Sequence, residues 1–413
     1  MRTVDIEYGG ETVHVNVDAD CDVILPNEAT ALPPATDDGD VPSMEEFVEG
    51  ARNVLIIVND GTRATPTSEV LDSVIPFLDG GPEITFLVAT GTHRGPTEDE
   101  LRAIFGRHLD RFRDRIEVHD AHDDEGLVSL GTTSRGTPVL FNRLAVDAER
   151  IVTINSVEPH YFAGFSGGRK SFLPGVAGFK TIEANHSHAV TDGSKPAALV
   201  RNPVHEDMAE AVAMLGNEKI FTMQIVLDSE KHVLSAHGGT IVDAFESAAR
   251  DAMALQCVTI ARKADVVVTC VPPPKDLEMY QSQHALENGK LVLNDGGIII
   301  WVSACRNGVG NDAFLRFLHN IESLDDVEAS LSDGYHLGDH KALRIMQTLQ
   351  WAEIWTVMGV EDELISKAHM RPFGDIQSAV DEAIATMRSR GKEPNVIVMP
   401  NGTWTVPILE EVA

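Results

Sequence analysis

The sequence predicts an α/β fold of two domains, each built on a mainly parallel sheet, with the active site in the interdomain cleft. Three observations predict it. Short apolar, β-branched runs recur along the chain, at Val54 to Val58, Ile84 to Val88, Ile151 to Ile154, Val266 to Val271 and Ile298 to Val302, and the first two stop in polar, glycine-bearing turns. The 413 residues, 43% of them hydrophobic, are enough for two separate cores. Composition changes where Val266 to Val271 runs into Pro272-Pro273-Pro274, which sets a boundary near Gln256. Residues 1–255 then form a catalytic and cofactor-binding domain, and residues 256–413 a second α/β domain that contributes substrate contacts.

Parallel sheets bind ligands at the carboxyl ends of their strands, so the turns after the first three runs are the place to look for chemistry. The first is Asn59-Asp60-Gly61-Thr62-Arg63-Ala64-Thr65-Pro66, and the second is Ala89-Thr90-Gly91-Thr92-His93-Arg94-Gly95-Pro96. The third is the long stretch Asn155 to His188, where three histidines and two lysines, Lys170 among them, stand among small residues. Taken singly, Asp60 and Thr65 read as helix caps, Arg63 as a surface ion pair and His93 as a turn residue. Together the three loops bring Asp60, Arg63, His93, His160, Lys170 and His186 to one edge. Gly164, Gly167 and Gly168 let backbone amides approach a bound group, and Lys170 follows them like the basic residue of a phosphate loop. The GxxxxGK[ST] spacing of a Walker loop is absent.

These residues resemble the nickel-pincer-dependent lactate racemases and their 2-hydroxyacid racemase and epimerase relatives. The likeness rests on DGTR at Asp60 to Arg63, TGTHR at Thr90 to Arg94 and HYFAGFSGGRKSFLPG from His160 to Gly175. EANH at Glu183 to His186, YQSQ at Tyr280 to Gln283 and PNGTWTVP from Pro400 to Pro407 complete it, over nearly the whole chain. The resemblance implies a pyridinium-3-thioamide-5-thiocarboxylic acid mononucleotide that holds nickel in a pincer and is attached covalently to Lys170. It further implies His186 as the protein ligand to nickel, and His93 and His160 as the acid–base pair. Asp60, Thr62, Gly91, Gly167 and Gly168 are expected around the cofactor, and Arg63, Tyr280, Gln281 and His284 around the substrate.

The implied chemistry suits these residue types. Removing a proton from C2 of a 2-hydroxy acid is hard, because the neighbouring carboxylate resists a second negative charge. Hydride transfer avoids the carbanion, and it needs one base for the hydroxyl of each enantiomer, a role for neutral imidazole. Arg63 offers a planar fork for the substrate carboxylate, and a soft donor set with one imidazole agrees with nickel preferences. One departure stands out. In the lactate enzymes a lysine that helps to bind substrate lies three residues after the glutamine matched by Gln281, and this chain has His284 there. The departure leads us to expect a substrate other than lactate, longer or more polar. Lactate itself remains an alternative, as does a non-catalytic anion-binding homologue that never loads the cofactor. A nicotinamide dehydrogenase is disfavoured, since no GxGxxG follows the first strand.

Other features read as structural. His119, Asp120, His122, Asp123 and Asp124 form a charged cluster expected to be a solvated loop rather than a second metal site. Trp351 and Trp355, four apart, are expected to anchor one helix face. The formal charge of −31, from 64 acidic against 33 basic residues, argues against nucleic acid or an anionic membrane as partner. The expected partners are a small anionic 2-hydroxy acid and, transiently, the enzymes that build the cofactor. Cys21, Cys257, Cys270 and Cys305 form no metal motif, and MRTVDIEYGG is no apolar leader, so a cytoplasmic location is expected.

Overall fold

The computed structural model describes residues 1–27, 42–311 and 339–410, with isolated positions between 314 and 326. The chain forms two compact units, one of Ala29–Leu255 and the other of Gln256–Ala413 together with Met1–Glu28.

The N-terminal residues make a hairpin, β1 (Arg2–Tyr8) and β2 (Glu11–Val17), turned by Gly9 and Gly10 at positive φ. Val4, Ile6, Val15 and Val17 alternate inward, the period-2 pattern of a strand with one buried face. A third strand, β3 (Asp20–Val23), pairs in parallel with a strand near the C-terminus, Asn395–Met399. This pairing is why the first residues belong to the second unit, whereas a contiguous division put them in the first. A strand whose partner lies at the far end of the chain leaves no local trace of it.

In the unit of Ala29–Leu255 the sheet is built from β4 (Asn53–Asn59), β5 (Glu83–Ala89) and β6 (Ile116–Val118), followed later by β9 (Arg150–Ser156), β12 (Ile220–Leu227) and β13 (Val233–Thr240). Its order is β13-β12-β9-β4-β5-β6, parallel throughout except for β13. Between β6 and β9 lies a hairpin of β7 (Leu127–Thr132) and β8 (Pro138–Asn142), and β10 (Pro159–His160) pairs with β11 (Gly164–Phe165) after β9. The helices that matter here are α1 (Thr67–Leu78), α2 (Glu98–Phe105), α3 (Phe179–Ser187), α4 (Pro203–Ala213) and α5 (Asp243–Gln256). The middle residues of β4 and β9 are buried in unbroken runs because the sheet is covered on both faces. On one face Val54, Ile56, Val58, Val152 and Ile154 pack with Val70, Leu71, Val74 and Leu78 of α1.

The second unit runs through β14 (Cys257–Ile260), β15 (Ala264–Val271), α6 (Met279–Gly289), β16 (Leu293–Ser303), α7 (Asp339–Leu349), β17 (Glu353–Met358), β18 (Arg371–Pro372), α8 (Ile376–Ser389), β19 (Asn395–Met399) and β20 (Val406–Leu409). Its main sheet, β18-β17-β16-β15-β19-β3, is wholly parallel and carries a core on each face. Here the tryptophan expectation fails. Trp351 stands in the turn after α7, and Trp355 lies inside β17, stacked on Phe373 at 4.9 Å. The helix ends at Leu349, so one residue falls in the turn and the other in β17, where an aromatic favours the pleated surface. His119 corrects another expectation: it is buried, with Nε2 at 2.9 Å from the Ala177 carbonyl. Among the described residues no group of three or more His, Cys, Asp or Glu could hold a metal ion, and no helix is long and apolar enough to cross a membrane.

Candidate active site

Strands β9, β4 and β5 are neighbours in the sheet and parallel, so their three loops leave from the same edge. A seam of polar side chains ties the loops together there. Asn155 Nδ2 donates to Asn59 Oδ1 at 3.1 Å, and Asn59 Nδ2 donates to Thr65 Oγ1 at 2.8 Å. Thr65 Oγ1 in turn donates to Ser156 Oγ at 3.0 Å, and Gln224 Oε1 on β12 accepts from the Gly168 amide at 3.0 Å. Asn155 and Gln224 are buried, so each of these bonds forms in a medium that punishes its loss. The seam thereby fixes one loop against the next.

Two glycines are dictated by this packing. A Cβ on Gly167 would sit 2.6 Å from Gln224 Oε1, one on Gly168 would sit 2.6 Å from the Phe245 ring, and both residues have positive φ. The Gly168 amide serves Gln224, and the Gly91 amide donates to the Gly175 carbonyl at 2.9 Å. In this structure both amides tie the loops to one another.

The β4 and β5 loops meet in an Asp–His pair. His93 Nδ1 lies 2.7 Å from Asp60 Oδ2, and the other carboxylate oxygen accepts from the Thr62 hydroxyl at 2.6 Å and the Thr62 amide at 3.2 Å. Burial alone would raise the Asp60 carboxyl, but hydrogen bonds from His93 and Thr62 outweigh it and hold it below the usual range. An ionised Asp60 takes the Nδ1 proton of His93 and leaves Nε2 as the basic nitrogen. The His93 ring is half exposed, at 51%, while Asp60 is buried. A shielded carboxylate thus orients an imidazole that faces outward.

The third loop brings His160, Lys170 and His186 around one aromatic ring. The Phe162 ring lies edge to face with His160 at 4.6 Å and with His186 at 5.1 Å, and Lys170 Nζ is 5.3 Å from its centre. Lys170 Nζ is 3.2 Å from His160 Nε2, and the Ala163 amide donates to His160 Nδ1 at 3.3 Å. With Nδ1 accepting, the proton of a neutral His160 ring sits on Nε2, facing the lysine. Burial pushes Lys170 down to about 7, and the nearby Arg63 guanidinium adds to the shift against the pull of Glu158. About half of its amine is therefore unprotonated and nucleophilic near neutral pH, when an ordinary lysine is almost wholly protonated. Burial, reinforced by Lys170, takes His186 down to about 3, although the Ile182 carbonyl one turn back accepts from the ring and opposes the shift. His186 is thus a neutral imidazole, the form a metal ligand needs.

Arg63 Nη1 stands 3.6 Å from Glu158 Oε1, and both side chains are partly exposed. At that separation the pair is loose, and the guanidinium fork remains able to exchange onto another carboxylate. Glu158, Phe162, Asn155 and Gln224 were not singled out from the sequence; only the placement of Glu158 and Phe162 on either side of His160 hinted at the first two. In the second unit Tyr280, Gln281 and His284 lie on the first turns of α6, with Tyr280 and His284 one turn apart. The Tyr280 ring is half-buried, meets Phe314 at 5.5 Å and has its phenol pushed up by burial.

Comparison with known proteins places the chain in a family. Residues 31–197 match the lactate racemase N-terminal domain, and residues 259–406 match the lactate racemase C-terminal domain. The lactate racemase of Lactiplantibacillus plantarum is 30% identical over 380 residues, 88% of this chain and 87% of that protein. The lactate racemase of Thermoanaerobacterium thermosaccharolyticum is 33% identical over 290 residues, 69% of this chain and 67% of that one. The apoprotein structure of a lactate racemase from that organism superposes with a TM-score of 0.87 at 27% identity, covering 99% of this chain and 100% of the other. A Thermotoga maritima protein shares the fold, with a TM-score of 0.66 at 20% identity over 90% of this chain and 99% of its own. An α/β chain of two such units belongs with the isomerases its relatives represent. It is a member of the lactate racemase family.

The Lys170 environment makes a direct prediction. Labelling of the unloaded chain with an amine-reactive acyl probe, followed by peptide mapping, should show Lys170 half-reactive near pH 7, with the exposed lysines reacting only at higher pH. A second prediction separates two roles for Asp60. Asp60→Asn should lower racemisation about 100-fold or more through His93, by the logic of a carboxylate that orients a catalytic imidazole. The mass of the loaded protein should not change; if loading is lost instead, Asp60 serves the cofactor.

Proposed function

We propose that this chain is a 2-hydroxyacid racemase that inverts C2 by hydride transfer, with lactate, the acid in its relatives' names, as the first substrate to test. The observation that carries the reading is the grouping of a nucleophilic Lys170, a neutral buried His186 and His160 about Phe162, on the loop next to an Asp60–His93 pair. These residues fit the nickel-pincer nucleotide. Lys170 supplies an amine able to form a thioamide, and His186 supplies the imidazole that nickel would take. When bound, that group would supply a reversible hydride acceptor for C2 of the substrate.

The chain's own residues do the rest. Arg63 exchanges Glu158 for the substrate carboxylate and fixes which way C2 points. His93 takes the hydroxyl proton of one enantiomer at Nε2, and Asp60 stabilises the imidazolium that results. His160 acts on the other. While Lys170 is an amine, its basic nitrogen holds the His160 proton on Nε2; a thioamide nitrogen, which is not basic, would release that tautomer and leave Nε2 able to take the substrate proton. Tyr280, Gln281 and His284 are the remaining substrate contacts in this reading.

Protein co-produced with the cofactor-building enzymes tests it. His93→Ala and His160→Ala should each cut racemisation by roughly 10²- to 10⁴-fold while leaving nickel content unchanged. A panel of 2-hydroxy acids, scored by loss of optical purity, tests the specificity: if His284 steers substrate choice, a longer or more polar acid should outrun lactate and His284→Lys should narrow the gap. Full activity in both histidine variants would refute the two-base reading.

A further inference from the structure

A second helix reaches the turn that carries Tyr280, Gln281 and His284. Helix α7 is fastened along α6 by buried contacts: Gln283 Nε2 donates to the Lys341 carbonyl at 2.8 Å, and Arg344 Nε donates to Glu287 Oε2 at 2.8 Å. The same Glu287 oxygen also takes the Lys290 ammonium at 2.5 Å. Burial would raise the Glu287 carboxyl, yet these two cations hold it down to about 2, so it stays ionised as the anchor of the clamp. The clamp fixes the backbone of Lys341. Its side chain then runs to the start of α6, where Nζ donates to the Tyr280 carbonyl at 2.5 Å and stands 3.9 Å from the centre of the Tyr280 ring.

Lys341 is only 5% exposed. Burying an ammonium is costly, and an unbranched apolar side chain of similar volume would fill the same space without that cost. Packing therefore does not account for a lysine at this position; its amine does. Burial lowers it from 10.5 to about 7, so it gains a proton at little expense when an anion approaches. A buried amine aimed at a tyrosine of a candidate site is the kind of group that recognises a charged ligand.

We propose that Lys341 is a further substrate-binding residue, whose Nζ, held over the Tyr280 ring, meets the carboxylate of the 2-hydroxy acid. The proposal rests on the reading above that Tyr280 and its neighbours touch substrate. Titration calorimetry of the full chain with L-lactate and with L-malate, paired with thermal unfolding, tests it. Lys341→Met should weaken binding of at least one acid about 10- to 100-fold, the worth of a charged hydrogen bond, and should raise the melting temperature because a buried ammonium is gone. Lys341→Arg, which keeps the charge, should retain more of the binding than Lys341→Met. If Lys341→Met lowers the melting temperature and leaves both dissociation constants unchanged, the lysine is a structural tie and the proposal is overturned. If Arg63→Ala weakens binding and Lys341→Met does not, the proposal falls and the racemase reading stands. If the unaltered chain binds neither acid, or neither substitution matters, both fall.

Discussion

A lysine amine stripped of water and held 3.2 Å from an imidazole is the contact on which the chemistry of this chain turns. In water Lys170 would be an ammonium at any physiological pH, useless as a nucleophile. Burial against Phe162 and the nearby Arg63 charge remove that obstacle, and the same dry setting keeps His186 neutral. One physical cause, desolvation, thus gives the loop both a nucleophilic amine and a neutral imidazole.

Desolvation is useful only if the loops stay where they are. The seam from Asn155 through Asn59 and Thr65 to Ser156 lies at the ends of adjacent parallel strands, and Gln224 brings Gly168 into it. Gly167 and Gly168 then allow a backbone path that any side chain would block. The Asp60–His93 pair works differently. His93 is half exposed, and a carboxylate rather than burial sets its reactive nitrogen. The two histidines are therefore prepared by different means, His93 by a charge behind it and His160 by the lysine before it.

How much of this was legible depended on distance along the chain. The strands were plain, because β4, β5, β9, β15 and β16 each hold a short run of apolar, β-branched residues, and the loops after β4 and β5 were plain because glycine and polar residues follow at once. His160, Lys170 and His186 share one window, so their association could be read directly. The Asp60–His93 bond joins two windows, and the sequence offered Asp60 only as a cap or a cofactor contact. Lys341 was invisible: it sits in an ordinary amphipathic helix, and its partner Tyr280 lies 61 residues away. Trp351 and Trp355 misled because the helix stops at Leu349, two residues before the pair begins, and spacing alone does not mark that stop. The pairing of β3 with β19 could not be read locally, since each strand's own pattern is satisfied with any partner.

The central claim is that the hydrogen on C2 travels as hydride and never as a proton. Racemisation of 2-deuterated L-lactate in ordinary water by the loaded enzyme, followed by mass analysis of the D-lactate formed, tests that claim most directly. Hydride transfer predicts D-lactate that keeps its deuterium, because the hydrogen leaves and returns without meeting solvent. Loss of the label to water, at a rate that matches racemisation, would show proton abstraction from C2 and contradict the account.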